Sequence, residues 1–323
     1  RYLTDKLVDE IKKNINDQNN DNKIYSNLIL AKKSEIDKDY TLEMKYLLNA
    51  HELYNKSKSN LLEQQFNYYN DFLPKFIKNS KNLKINPNTK LNPIFIMGLP
   101  RSGTTLVERI IVSGKNKVQS LGETDVFDKV FFSNQIINTL DNDILADLHQ
   151  KIIDQYSNQG YPGSNLKFTD KSIGNFLYID LISKIFPNAK FVYCLRNPVA
   201  NLIGLSRSFL PNVYWSHSIK KTCEMFNIYF KKLDEIKKDK SIKIHVIKLE
   251  HLTNDPENVS KELFKFLDLD WSIDCVQDYS NDLIVKTASN LQVRKEIKKH
   301  DLSYTSNYLK IFKDMGLNYD WLS

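Results

Sequence analysis

Pro93-Ile94-Phe95-Ile96-Met97-Gly98-Leu99-Pro100-Arg101-Ser102-Gly103-Thr104-Thr105 is the stretch that decides the fold. Its first five residues are continuously apolar rather than alternating, which describes a strand buried on both faces, as in a parallel sheet covered by helices. The run stops at Gly98, and from Gly103 to about Val112 the apolar spacing is helical. A tight turn between a strand and a helix leaves backbone N–H groups unpaired at the positive end of a helix dipole, and both favour an anion. Gly98 and Gly103 have the spacing of the nucleotide loop G-x-x-x-x-G-K-[ST], but Thr104 stands where that loop has lysine. The missing lysine would reach the outer phosphates of ATP or GTP; here the cation, Arg101, sits within the turn. No convincing apolar strand ending in a magnesium-holding Asp is evident in the sequence.

Working outward, Lys190–Leu195 and Ile242–Ile247 repeat the strand signature, each after helical sequence. Strands alternating with helices predict an α/β fold, a P-loop-like parallel sheet covered by helices, with ligands at the carboxyl ends of the strands. Toward the N-terminus, Ile24 to about Lys58 reads as two helices joined at Asp37-Lys38-Asp39, with Tyr46, Leu47, Ala50, Leu53 and Tyr54 on one face of the second. The pattern resembles a tetratricopeptide repeat, with small Ala31 and Ala50 where helices approach closely. One such repeat does not bury its own apolar face, which fits a chain whose upstream repeats have been removed; an unrelated helical hairpin packed on the main domain fits equally well. Lys78 to Pro93 reads as a linker. The expected division is a helical, tetratricopeptide-like segment over residues 1–85 and a catalytic domain over 86–323.

A chain of 323 residues with 41% hydrophobic and 11% aromatic residues is globular rather than disordered. Three cysteines are too few for a disulfide framework or a Cys-based zinc site. With no apolar run of membrane-spanning length and no signal peptide, a cytoplasmic protein is expected. The net charge of +7 has no nucleic-acid recognition motif beside it, so a small polyanionic ligand is its better use and no nucleic-acid partner is expected.

Pro100-Arg101-Ser102-Gly103-Thr104-Thr105 resembles the 5'-phosphosulfate loop of sulfotransferases, particularly bacterial ones with tetratricopeptide repeats and the tyrosylprotein sulfotransferases. The likeness continues through Leu121-Gly122-Glu123, Phe168-Thr169-Asp170-Lys171, Leu195-Arg196-Asn197-Pro198 and Thr287-Ala288-Ser289-Asn290-Leu291-Gln292-Val293-Arg294. Only the first block is specific alone; order and spacing carry the set. The resemblance implies an enzyme moving the sulfonate of 3'-phosphoadenosine 5'-phosphosulfate (PAPS) to a hydroxyl acceptor, with adenosine 3',5'-bisphosphate as product. It implies a catalytic set of Glu123, Lys171, Arg101 and Ser289, and donor binding by Arg101, Ser102, Gly103, Thr104, Thr105, Arg196 and Arg294.

In these roles Arg101 and Lys171 neutralise the sulfonate and the leaving phosphate, and Glu123 is the general base. Charge neutralisation by Arg and Lys leaves no need for a metal, and none is expected. The chain departs from the family where the 3'-phosphate binds. Gly204 replaces a serine, with Ser206 on nearly the opposite face of a helix, and Tyr304 and Asn307 stand where a basic residue belongs. Arg196 and Arg294, helped by Arg207, are the expected recognition set. The acceptor stays open between a peptide tyrosine, a carbohydrate and a lipid hydroxyl, and the helical segment could bind a protein. The competing readings are a P-loop kinase-like phosphotransferase for a small molecule, and an inactive repeat-bearing scaffold.

Overall fold

The apolar run beginning at Pro93 is the central strand of a sheet in the computed structural model, which describes residues 3–17, 19–79, 91–115, 117–132, 142–161, 167–277 and 297–322. In chain order the N-terminal helices are α1 (Asp5–Asn14), α2 (Asn20–Ile36), α3 (Tyr40–Asn67) and α4 (Leu73–Asn79), with a π-helical turn Tyr68–Phe72 between the last two. The first half of the sheet region comprises β1 (Asn92–Gly98), α5 (Thr104–Val112), β2 (Gln119–Ser120), α6 (Val126–Phe132), α7 (Asn142–Asn158) and β3 (Lys167–Asp170). Then come α8 (Ile179–Ile185), β4 (Lys190–Leu195), α9 (Pro198–Ser206), α10 (Ile219–Lys238), β5 (Ile244–Lys248), α11 (Leu249–Asn254), α12 (Pro256–Leu267) and α13 (Asp274–Gln277). The last long helix is α14 (Thr305–Asp314).

All five strands are parallel, in the order β2-β3-β1-β4-β5. Because side chains alternate along β1, its two faces differ. Ile94 and Ile96 join an aliphatic cluster with Val107, Ile110, Leu252 and Leu263. Phe95 points the other way, toward Phe127 and Phe191 at ring separations of 5.9 and 5.8 Å. None of these side chains keeps more than a trace of exposure, and each stabilises the fold by roughly 2 kcal/mol relative to an exposed position. The aromatic side also holds a carboxylate: Tyr178 and Tyr69 donate to Asp128 on α6 at 2.7 and 3.0 Å. Gly174 packs directly on that carboxylate, where a Cβ would not fit. Burial pushes the Asp128 carboxyl up to about 6.

Contacts divide the chain into two units: Arg1–Tyr68 with Pro198–Asn227 and Asp301–Ser323, and Tyr69–Asn197 with Ile228–His300. The whole sheet lies in the second. In the first, α2 and α3 form the hairpin read from the sequence, turning at Lys38, whose φ is 60°. Asp39 caps α3 by accepting from the Leu42 N–H at 3.0 Å. Ala31 and Ala50 are buried as close approach requires, but the buried stripe of α3 is Glu43, Met44, Leu47, Ala50 and His51. Tyr46, Leu53 and Tyr54 are only partly buried. Glu43 enters this stripe because Arg207 meets it, with Nε 2.6 Å from Oε1, and the Tyr308 hydroxyl donates to it as well. Among the described residues no helix is long and apolar enough to cross a membrane.

Candidate active site

β1 ends in a turn that glycine and a strained arginine make possible. Gly98 has φ 148°, and a Cβ there would stand 2.5 Å from the Cys194 carbonyl on β4. Arg101 has φ 68° and Gly103 has φ 99°, conformations that turn the chain straight into α5. Gly103 brings no side chain to cap α5, so the first helical N–H groups face the turn without that partner. Ser102 is buried at 1% exposure, and its hydroxyl is without a hydrogen-bond partner among the described residues. A buried orphan hydroxyl at an uncapped helix N-terminus fits a phosphate or sulfonate oxygen as its partner. Burial, and then the charge of Arg196, press the pKa of Arg101 downward, so an anion here would relieve both cations.

The next residues are placed by an extension of the sheet. The Leu121 N–H donates to the Thr169 carbonyl at 3.1 Å and the Lys171 N–H to the Gly122 carbonyl at 2.9 Å, locking the turn after β2 to the end of β3. Glu123 and Lys171 are thereby brought side by side, with Lys171 Nζ 3.0 Å from Glu123 Oε1. The Lys171 side chain is 1% exposed and that of Glu123 is 37% exposed, so the carboxylate is the solvent-facing member of the pair and the ammonium the one kept from water.

Glu108, which no motif marks, lies on the other side of Lys171. It sits one turn inside α5, counted from Thr104 at its start, and its Oε2 is 3.8 Å from Lys171 Nζ. Thr169 and Ser120 hydroxyls donate to its other oxygen at 2.8 and 2.9 Å. Burial raises its pKa against the pull of Lys171 and these donors. Glu108 thus joins the helix that begins at the anion turn to the lysine at the end of β3. The available signal is an acid set among the buried aliphatic residues Val107, Ile110 and Ile111 of that helix.

β3 also ends in an acid, at the Phe168-Thr169-Asp170-Lys171 block that the family resemblance marks as a strand end and apolar periodicity does not. Asp170 is fully buried, and its carboxylate accepts from the Tyr156 and Thr124 hydroxyls, both at 2.7 Å, and from the Ser172 N–H and hydroxyl at 2.9 and 2.6 Å. Four donors saturate it, so it acts as the brace of the turn carrying Glu123.

Arg196 follows β4 and reaches back to the turn, donating from Nη1 to the Arg101 carbonyl at 3.0 Å. Arg101, Ser102, Gly103, Thr104, Glu123, Lys171 and Arg196 therefore belong to one linked set within the second unit. Thr105 opens α5 beside them and is buried. Ser289 and Arg294, with the segment 287–294, lie outside the described residues. In the first unit, Ser206 donates its hydroxyl to the Leu202 carbonyl at 2.9 Å. Arg207 is occupied by Glu43, Glu35 and Tyr308, through Nε, Nη1 and Nη2 respectively. Those contacts tie Arg207 into the first unit.

A family model described as "Sulfotransferase family" matches residues 93–272, more than half of the chain. The chain belongs to the sulfotransferase family. The match begins at the apolar strand and takes in the anion turn, Glu123, Lys171 and Arg196. An uncharacterized protein of Aquifex aeolicus is 27% identical over 87% of this chain, which spans only 39% of that relative's length. The sulfotransferase domain of the Synechococcus PCC 7002 olefin synthase is 18% identical, covering 74% of this chain and 100% of its own, with a TM-score of 0.45. Mouse sulfotransferase SULT7A1 complexed with PAP is 12% identical, covering 77% of this chain and 91% of its own, with a TM-score of 0.42.

Proposed function

We propose that this chain transfers the sulfonate of PAPS to a hydroxyl group. The observation that carries the reading is the buried Lys171 ammonium, held between Glu108 of the anion-turn helix and the open carboxylate of Glu123. Bound PAPS would supply an activated sulfonate attached to a phosphate leaving group. The residues to hold it are Arg101, the Ser102 hydroxyl, the N–H groups opening at Gly103, and the hydroxyls of Thr104 and Thr105. Lys171, shielded from water, offers its charge to the leaving oxygen undiminished by solvent. Glu123, exposed on one side and fixed by Lys171 on the other, takes the proton of the acceptor hydroxyl as that oxygen bonds to sulfur. Ser289 and Arg294 remain proposed members of the site through the family resemblance, and the division at residues 85 and 86 and the protein-binding role of the N-terminal helices are likewise proposals.

The direct test is incubation with radiolabelled PAPS and a cell extract, followed by identification of the labelled product. Wild-type protein should label a hydroxyl-bearing acceptor and Arg101→Ala should not, while ATP with magnesium should give no turnover. Wild-type activity in Arg101→Ala, or phosphate transfer from ATP, would overturn the reading.

A further inference from the structure

The 3'-phosphate distinguishes PAPS from other adenylates, yet Gly204, Tyr304 and Asn307 replace the side chains expected to receive it. Of the two expected arginines at that phosphate, the described residues contain Arg196. Its guanidinium lies edge-on against an imidazole 104 positions away: Nε and Nη2 are 3.0 and 2.7 Å from His300 Nε2. A guanidinium stays protonated and only donates, so Nε2 must accept through its lone pair, and His300 is the neutral tautomer with its proton on Nδ1. The histidine is itself anchored, since its backbone N–H donates to Thr253 Oγ1 on α11 at 3.3 Å. With Nη1 on the Arg101 carbonyl at 3.0 Å, three of the guanidinium's donor directions are fixed before any ligand arrives. An arginine pinned in this way loses little further side-chain freedom when an anion binds.

We infer that His300 is the positioning residue of the 3'-phosphate site. Its neutral imidazole holds Arg196 in one orientation for a phosphate monoester, in place of the missing serine and basic contacts. The inference rests on the PAPS reading above and concerns a residue outside the motifs of the resemblance.

Calorimetry on the full chain with adenosine 3',5'-bisphosphate and AMP tests both levels separately. Wild type should prefer the bisphosphate, and Arg196→Ala should remove most of the preference. His300→Leu, which offers no acceptor, should weaken bisphosphate binding about tenfold and leave AMP nearly unchanged, the scale of one lost charge-assisted hydrogen bond. His300→Gln places an amide oxygen near the position of Nε2 and should stay within about threefold of wild type. Equal wild-type affinities for the two ligands would sink the donor reading itself. A wild-type preference that survives in His300→Leu, or is lost as fully in His300→Gln as in His300→Leu, would overturn the role of His300 while leaving the donor standing. Should leucine impair folding, His300→Asn, whose amide is too short to reach Arg196, replaces it in the same comparison.

Discussion

Lys171 and its two carboxylates separate chemistry from stability one side chain at a time. Glu123 is partly exposed, and its loss leaves Lys171 still facing Glu108. Glu123→Gln should therefore lower kcat on the order of 100-fold while donor affinity and unfolding midpoint hold, as expected when a general base is removed. Lys171→Ala leaves Glu108 buried without its cation, and should cost about 3 kcal/mol of stability as well as slowing transfer. Steady-state kinetics beside urea unfolding checks the pair. A Glu123→Gln enzyme with wild-type kcat would move the base elsewhere, and a Lys171→Ala protein of undiminished stability would mean that Glu108 sits there protonated without needing it.

Among elements, α6 shows how one buried group ties several segments, because Asp128 receives hydroxyls from the π-helical turn at Tyr69 and from Tyr178 ahead of α8. With a carboxyl raised from 3.8 to about 6, the folded state binds the proton more tightly than the unfolded chain. The contribution is fully present below about pH 4 and is lost as pH rises through about 6, a change of about 3 kcal/mol for two pKa units. Asp128→Asn should flatten that limb of the stability curve; an unaltered slope in denaturant titrations from pH 4 to 7 would remove Asp128 as its source. Elements of this kind also mark what the sequence disclosed. β1 and β4 were legible because strands buried on both faces are written in uninterrupted apolar residues, and the anion turn because its glycines answer to backbone angles. β2 has two residues and β3 reads Lys-Phe-Thr-Asp, too short and too polar for periodicity to register. Their position comes from pairing with neighbours, as does the closeness of Glu123 and Lys171, which the family resemblance suggested and spacing alone did not. Glu108 leaves only a faint mark in the sequence and His300 none, for the same reason: each is explained by a partner far along the chain.

At the scale of the whole molecule, the first unit is assembled from three separate stretches of sequence. Glu43, 1% exposed, has its partners at Arg207 and Tyr308, so the N-terminal helices complete a network whose other members are encoded much later. Removing residues 1–68 should yield a protein that is insoluble or unfolds without cooperativity, because Arg207 and Tyr308 would lose a buried carboxylate. In the intact chain, Glu43→Gln should cost about 2 kcal/mol, toward the low side for a buried pair since the Arg207 side chain keeps 27% exposure. Thermal unfolding of the variant and solubility of the truncation decide this, and a soluble, cooperatively unfolding truncation would refute it. Such wiring also sets a clock on biosynthesis. Glu43 leaves the ribosome 265 residues ahead of Tyr308, a wait of about 10 to 50 s at ordinary elongation rates. Arg207, 164 residues behind Glu43, arrives first and Tyr308 last; until then the nascent helices carry an unpaired acid in their apolar stripe and lack the surfaces that will cover it, which leaves them open to chaperones and proteases while the chain is still being made.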